Sequence, residues 1–182
     1  QRLNQVIAAA LPRLLPHCQV LHVSGELTHA ATRAQAEEAM NAASVAPELR
    51  ARYALYPYLK DEMPAALAAS DVVLCRSGAA TLAELAIVGR ASVLVPLPPG
   101  FTGSPQAVNA AMFQRAGAAE VTLNRDLTPE RACDLLLPLL ADADRRQRMG
   151  NAARTLAHPD ATSALAAAVA ALANRTSTKS KR

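Results

Sequence analysis

The sequence predicts an α/β fold, a doubly wound, Rossmann-like parallel sheet with helices on both faces. Three observations predict it. Short runs such as Gln19–Val23, Asp71–Cys75 and Ser92–Val95 are mostly apolar rather than alternating, as in strands covered on both faces. Stretches of helical length separate these runs, the alternation that builds parallel strands joined by crossover helices. Gly and Pro punctuate the boundaries at Ser24-Gly25, Gly89, Pro96–Gly100 and Gly117.

Taken in order, Leu3, Ile7, Ala10, Leu11 and Leu14 recur at helical spacing and predict a helix over Leu3–Leu15, kinked or ended near Pro12. Gln19–Val23 is a strand closed by Ser24-Gly25, and the polar, Ala-rich His29–Ala43 is a surface helix. A strand near Ala51–Leu55, a short helix Glu62–Ala69 and the strand Asp71–Cys75 follow. A helix over Thr81–Val88 stops at Gly89, a residue suited to a left-handed C-terminal cap. Strand Ser92–Val95 runs into Pro96-Leu97-Pro98-Pro99-Gly100, which cannot be regular structure. Pro105–Ala116 reads as a helix stopped by Gly117, and Ala119–Leu123 as a last strand. Three helices finish the chain, with Thr128, Asp142 and Asp160 as candidate N-caps.

The 182 residues suffice for one domain with a substantial core, and at 51% hydrophobic residues the chain is not disordered. Of the formal charge of +4, the segment 174–182 supplies Arg175, Lys179, Lys181 and Arg182, so the body is neutral and the end is a basic, flexible tail. With aromatics at 3% and no folded basic cluster, nucleic-acid binding is not expected. No apolar run reaches the length of a membrane span, and no signal-peptide pattern opens the chain, which points to the cytoplasm. Cys18, Cys75 and Cys133 are odd in number and far apart, arguing against disulfides and a zinc site. The chain opens on a helix with no strand before it, which predicts a fragment of a larger protein.

In an open parallel sheet, ligands bind beyond the carboxyl ends of the strands. The most informative segment there is Arg76-Ser77-Gly78-Ala79-Ala80-Thr81, in which small residues lead from a strand into a helix N-terminus. Ser77, Gly78, Ala79, Ala80 and Thr81 let a phosphate approach main-chain N–H groups, where the helix end carries roughly half a positive charge. Close strand–helix packing would require the same small residues. Glu84 has two readings: a capping box with Thr81, from T-x-x-E spacing, or a carboxylate that accepts hydrogen bonds from ribose hydroxyls. Gln106 and Asn109 share one face at a helix start, as amides suited to sugar hydroxyls or as a polar helix opening. His17, His22, His29 and His158 lack metal-ligand spacing, and Ser24 and Ser77 do not sit in a nucleophile elbow. No residue makes a catalytic acid or base.

The run Ser70-Asp71-Val72-Val73-Leu74-Cys75-Arg76-Ser77-Gly78-Ala79-Ala80-Thr81-Leu82-Ala83-Glu84-Leu85 resembles the donor-site signature of the bacterial undecaprenyldiphospho-muramoylpentapeptide β-N-acetylglucosaminyltransferases. The likeness extends from Leu3-Asn4 through Val20–Gly25, Asp61-Glu62-Met63, Val95–Pro98, Gln106-x-x-Asn109-Ala110 and Ala116–Ala119 to Met149 and Asp160-Ala161.

The resemblance implies that residues 1–173 are the C-terminal, donor-binding half of a two-domain GT-B enzyme. Such enzymes transfer GlcNAc from UDP-GlcNAc to lipid I, making lipid II in peptidoglycan synthesis with inversion at the anomeric carbon. By motif match, Glu84 holds the ribose, Ala79, Ala80 and Thr81 border the α-phosphate and ribose, and Gln106 meets the GlcNAc hydroxyls. Main-chain groups near Leu59 or Lys60 read the uracil edge, with Met63 packed nearby. No metal or other cofactor is implied. Lipid I and the inner face of the cell membrane are partners through an N-terminal domain that these residues do not include, so the 182 residues alone are expected to lack transferase activity. The loop after Pro98 departs from the family pattern, reading Pro99-Gly100-Phe101-Thr102-Gly103-Ser104-Pro105. Two other readings remain: a different GT-B domain, such as a UDP-GlcNAc 2-epimerase or a glycolipid glycosyltransferase, and a non-catalytic Rossmann-like module whose basic tail binds an acidic partner.

Overall fold

In the computed structural model, residues 1–98, 100 and 105–179 are described, with side chains through 172. Five short parallel strands alternate with helices. Helix α1 (Arg2–Leu14) leads to β1 (Val20–Val23), then α2 (His29–Ala42), α3 (Pro47–Arg50) and β2 (Tyr53–Tyr56). Helix α4 (Met63–Ala69), β3 (Val72–Cys75), α5 (Ala79–Val88) and β4 (Ala91–Leu94) follow. The chain continues through α6 (Gln106–Arg115), β5 (Ala119–Val121), α7 (Pro129–Ala141), α8 (Ala143–Arg154) and α9 (Ala161–Lys179).

The runs Asp71–Cys75 and Ser92–Val95 become parallel strands covered on both faces, whereas Leu21 of β1 is half exposed, so the first run does not. Strands β3, β4 and β5 hydrogen-bond in that order, with Val72 opposite Ala91 and Ser92 opposite Ala119. Ala91 and Val93 of β4, and Val95 just after it, join a core with Val6, Ile7, Ala10 and Leu14 of α1 and with Cys133, Leu136 and Leu139 of α7. Leu94 joins a second core on the opposite face with Leu82 and Leu85 of α5, Phe113 of α6 and Ala153 of α8. Strand β3 divides the same way, Val72 and Leu74 against Val73 and Cys75. The alternation of faces explains why β4 is buried at every position. Strands β1 and β2 pair separately, Val20 opposite Tyr53, so the five strands fall into two hydrogen-bonded groups rather than one continuous sheet.

Several boundaries differ from the sequence reading. Helix α1 runs through Pro12 to Leu14, with apolar stripe residues Leu11 and Leu14 buried against the body. A 3-10 turn at Glu26–Thr28 and the short α3, opened by Pro47 in its first turn, were not expected. The second strand is displaced to Tyr53–Tyr56. Thr128 and Asp142 do cap their helices, accepting from Arg131 N at 3.1 Å and Arg145 N at 2.8 Å. Helix α9 continues past Leu172 to Lys179, and residues 180–182 of the expected tail lie outside the described residues.

The main correction concerns α5. It begins at Ala79 with Gly78 as N-cap, in extended backbone and without a side-chain cap, and Leu82 N donates to the Gly78 carbonyl at 3.0 Å. Thr81 therefore lies inside the first turn. The capping-box reading of Thr81 and Glu84 is overturned, because a capping residue must precede the helix.

Candidate functional site

The carboxyl end of β3 passes through Arg76-Ser77-Gly78 into α5, and each residue of the turn has a distinct role. Ser77 is fully buried, and its hydroxyl donates to the Gln106 carbonyl at 2.8 Å. Asn109 Nδ2 donates back to the Ser77 carbonyl at 3.1 Å. Together these bonds clasp the β3–α5 turn to the start of α6. Gln106 is buried, and its Oε1 accepts from Leu97 N at 3.0 Å, which ties α6 to the segment after β4. The carbonyl side of that amide is thus occupied, while no partner is recorded for its Nε2 among the described residues.

Next to this clasp the helix end is open. A methyl group at Gly78 would meet nothing within 4 Å, and Ala79 and Ala80 are exposed. With no capping side chain, the first main-chain N–H groups of α5 face this space. Glu84 lies further along α5, exposed and without a hydrogen bond among the described residues. Its charge reaches back to Cys75: burial first, and then Glu84, push that thiol up to about 12. Cys75 is therefore protonated at neutral pH and unsuited to nucleophilic attack. Thr81, in the first turn of α5, is half-buried.

Leu59 is buried in the β2–α4 connection, and Met63 packs on the α5 core beside Leu82 and Leu85. The Lys60 main-chain N–H is engaged by the Glu62 carboxylate at 3.2 Å. Of the two main-chain positions considered at this edge, Lys60 has its donor occupied in this structure. Sequence reasoning also missed Arg76. Its guanidinium donates to the Val95 carbonyl at 3.0 Å and to Asn124 Oδ1 at 2.8 Å, joining the ends of β3 and β4 below the turn. Burial lowers its pKa. Only the place of Arg76, directly after β3 and before Ser77, could have signalled this part.

Beyond the end of β1 lies a second feature of the same edge, an open cavity of about 430 Å³ lined by Gly25, Glu26, Leu27, Thr28 and Tyr58. Polar groups brace it. His22 Nε2 meets Asn4 Oδ1 at 3.1 Å and its Nδ1 meets the Tyr53 hydroxyl at 3.0 Å, while Asn4 Nδ2 donates to the Ser24 carbonyl at 2.8 Å. Burial, followed by the charge of His29, lowers the His22 pKa to about 4, so the ring is neutral. Ser24 Oγ is 3.1 Å from His29 Nδ1, and Arg33 lies 3.0 Å from His29 Nε2. A guanidinium can only donate, so Nε2 accepts and the ring proton sits on Nδ1, pointed at Ser24. His29 cannot then act as a base toward that hydroxyl.

Among the described residues no group of three or more His, Cys, Asp or Glu could hold a metal ion, and no helix is long and apolar enough to cross a membrane. The arrangement offers open main-chain donors at a helix end, one free carboxylate and a clasped amide wall, which suits binding of a phosphorylated, hydroxyl-rich ligand. Among the described residues it holds no acid–base pair.

Comparison with known proteins points the same way. The family described as glycosyltransferase family 28 C-terminal domain matches residues 1–165. A UDP-N-acetylglucosamine–N-acetylmuramyl-(pentapeptide) pyrophosphoryl-undecaprenol N-acetylglucosamine transferase from Alkalilimnicola ehrlichii is 41% identical over 167 residues, 90% of this chain and 43% of the relative. One of the same name from an Anaeromyxobacter species is 36% identical over 173 residues, 95% of this chain and 43% of the relative. The crystal structure of Acinetobacter baumannii MurG superposes with a TM-score of 0.74 at 29% identity, over 90% of this chain and 44% of that one. The chain thus spans less than half the length of these relatives.

Proposed function

The chain belongs to the glycosyltransferase family 28 C-terminal domain family, and on that premise we propose that it is the donor-binding half of an inverting, metal-independent UDP-GlcNAc transferase acting on lipid I. The observation that carries this reading is the uncapped start of α5. Gly78 leaves space in front of the N–H groups of Ala79, Ala80 and Thr81, and the free carboxylate of Glu84 follows on the same helix.

Each part then has a role. The diphosphate sits at the helix end, where unpaired N–H groups and roughly half a positive charge offset its negative charge without a cation. Glu84 accepts hydrogen bonds from the ribose hydroxyls, and its lack of an internal partner leaves both oxygens available. Nε2 of Gln106 donates to a GlcNAc hydroxyl while its Oε1 stays on Leu97 N. Ser77 and Asn109 shape this wall by holding the turn against α6. The uracil stacks at the β2–α4 connection, its edge read from Leu59, with Met63 closing the floor.

The reaction inverts the anomeric carbon by direct attack of the muramoyl C4 hydroxyl as UDP leaves. This half supplies leaving-group stabilisation, since charge developing on the diphosphate strengthens its interaction with the α5 N-terminus. Lipid I, the general base and contact with the inner membrane face belong to another part of the full enzyme, and the 182 residues alone do not turn over. Calorimetric titration of the chain with UDP, UDP-GlcNAc and UDP-glucose, with and without EDTA, tests the reading. Saturable UDP binding indifferent to EDTA supports it; no UDP binding at millimolar concentration, or binding that requires a divalent cation, contradicts it.

A further inference from the structure

We propose that Arg90, Arg146 and Arg154 form a phosphate-binding site at the amino-terminal edge of β3 and β4, separate from the donor site. The three side chains line a cavity of about 190 Å³ together with Asp71, Gly89 and Gln147. Three guanidiniums face one carboxylate there, and Asp71 is 68% exposed and 3.6 Å from Arg146.

What fixes the guanidiniums is a convergence of helix ends. Arg154 donates to the Val88 carbonyl at the end of α5 at 3.1 Å, and Arg146 to the Leu139 carbonyl at the end of α7 at 2.8 Å. Arg90 donates to the Ala68 carbonyl at the end of α4. These helix-end carbonyls carry partial negative charge that seats the guanidiniums and offsets part of their charge, and each guanidinium has five N–H groups, so anchoring leaves donors free. Arg90 Nε is buried without a partner, the sole such side-chain atom among the described residues. Glycine makes the gathering possible: a methyl group on Gly89 would lie 2.4 Å from the Arg154 guanidinium.

Three like charges around one small cavity repel one another, and a bound oxyanion relieves that repulsion. Arg forks match the oxygens of phosphate, and the cavity exceeds the volume of several waters at roughly 30 Å³ each. The site lies at the opposite end of β3 and β4 from Gly78, a separation of roughly 13 Å for four-residue strands. A phosphate at the α5 N-terminus would therefore be a different event.

The test is titration of the isotopically labelled 182-residue chain with inorganic phosphate at constant ionic strength, followed through the amide resonances of Gly89, Arg90, Ala143 and Gln147, with chloride as control. We expect saturable shifts with phosphate alone, and at least about tenfold weaker binding in Arg90→Gln, the scale of one charge-assisted bond. Gln147→Glu alters an exposed residue that anchors no helix end, so it keeps the question answerable if Arg90→Gln fails to fold. It should weaken phosphate to a similar degree. A parallel arm uses vesicles of phosphatidylglycerol against phosphatidylcholine. Vesicle binding that disappears in Gln147→Glu assigns the phosphate to a lipid headgroup, and phosphate binding without vesicle binding assigns it to a soluble phosphate. Shifts no larger than those with chloride, or phosphate affinity unchanged in Gln147→Glu, would overturn the proposal.

Discussion

The buried hydroxyl of Ser77 donates to the main-chain carbonyl of Gln106 at 2.8 Å, holding the β3–α5 turn against the first residue of α6. Removing it in Ser77→Ala deletes this bond, while the Gln106 carbonyl keeps its helical partner. Urea unfolding should show a loss of about 0.5–1.5 kcal/mol, and UDP affinity should fall with it because the turn loses its fixed position. Unchanged stability would mean that the clasp does not hold the turn.

A pH dependence follows from His22. Its folded pKa of about 4 lies below the ordinary 6.5, so between these values the unfolded chain takes up a proton that the folded chain does not. Stability from this group is complete above pH 6.5 and is lost as pH falls toward 4, by about 2–3 kcal/mol at pH 4.5. In His22→Gln the drop between pH 7 and 4.5 should shrink by that amount. An equal drop in both proteins would contradict the neutral, buried ring.

Gly150 of α8 faces the end of α5 so closely that a methyl group on it would lie 2.4 Å from the Gly89 carbonyl oxygen, which is main chain and cannot swing away. Gly150→Ala should destabilise by about 1–3 kcal/mol through overpacking. Gly89→Ala should cost about 1–2 kcal/mol from its left-handed φ of 69° alone. A Gly150→Ala protein as stable as the parent would refute the close approach.

Ser24 and His29 lie 3.1 Å apart, but Arg33 directs the ring proton toward the serine. A fluorophosphonate probe should therefore leave Ser24 unlabelled at neutral pH, in the parent and in Arg33→Gln alike, since losing Arg33 still supplies no carboxylate to orient a base. Labelling of Ser24 in the parent would contradict the assigned tautomer.

Much of this was legible from the residues. Uniform apolarity in Asp71–Cys75 and Ser92–Val95 marked strands covered on both faces, which Val93 and Leu94 bear out by entering opposite cores. The T-x-x-E spacing misled because local capping chemistry cannot reveal that Gly78, in extended backbone, already caps the helix three residues earlier. Arg76, Arg90 and Arg154 were invisible because their acceptors are carbonyls distant in sequence, such as Val95 for Arg76 and Val88 for Arg154. The Asn4–His22–Tyr53 network was hidden for the same reason: each histidine looked isolated along the chain but gains its partners through packing. The short α3 carries only Pro47 as a signal, too little to separate a helical turn from a loop.

Glu84 lies outside the cap of α5 and is free to serve a ligand rather than the helix. Isothermal titration of Glu84→Gln with UDP, paired with urea unfolding, tests it most directly. Because Glu84 is exposed and lies outside the cap, stability should stay within about 0.5 kcal/mol of the parent, as for other surface changes, while UDP affinity falls by about 1.5–3 kcal/mol, the loss of hydrogen bonds to a charged group. Unaltered UDP affinity in a protein that binds UDP would contradict the account.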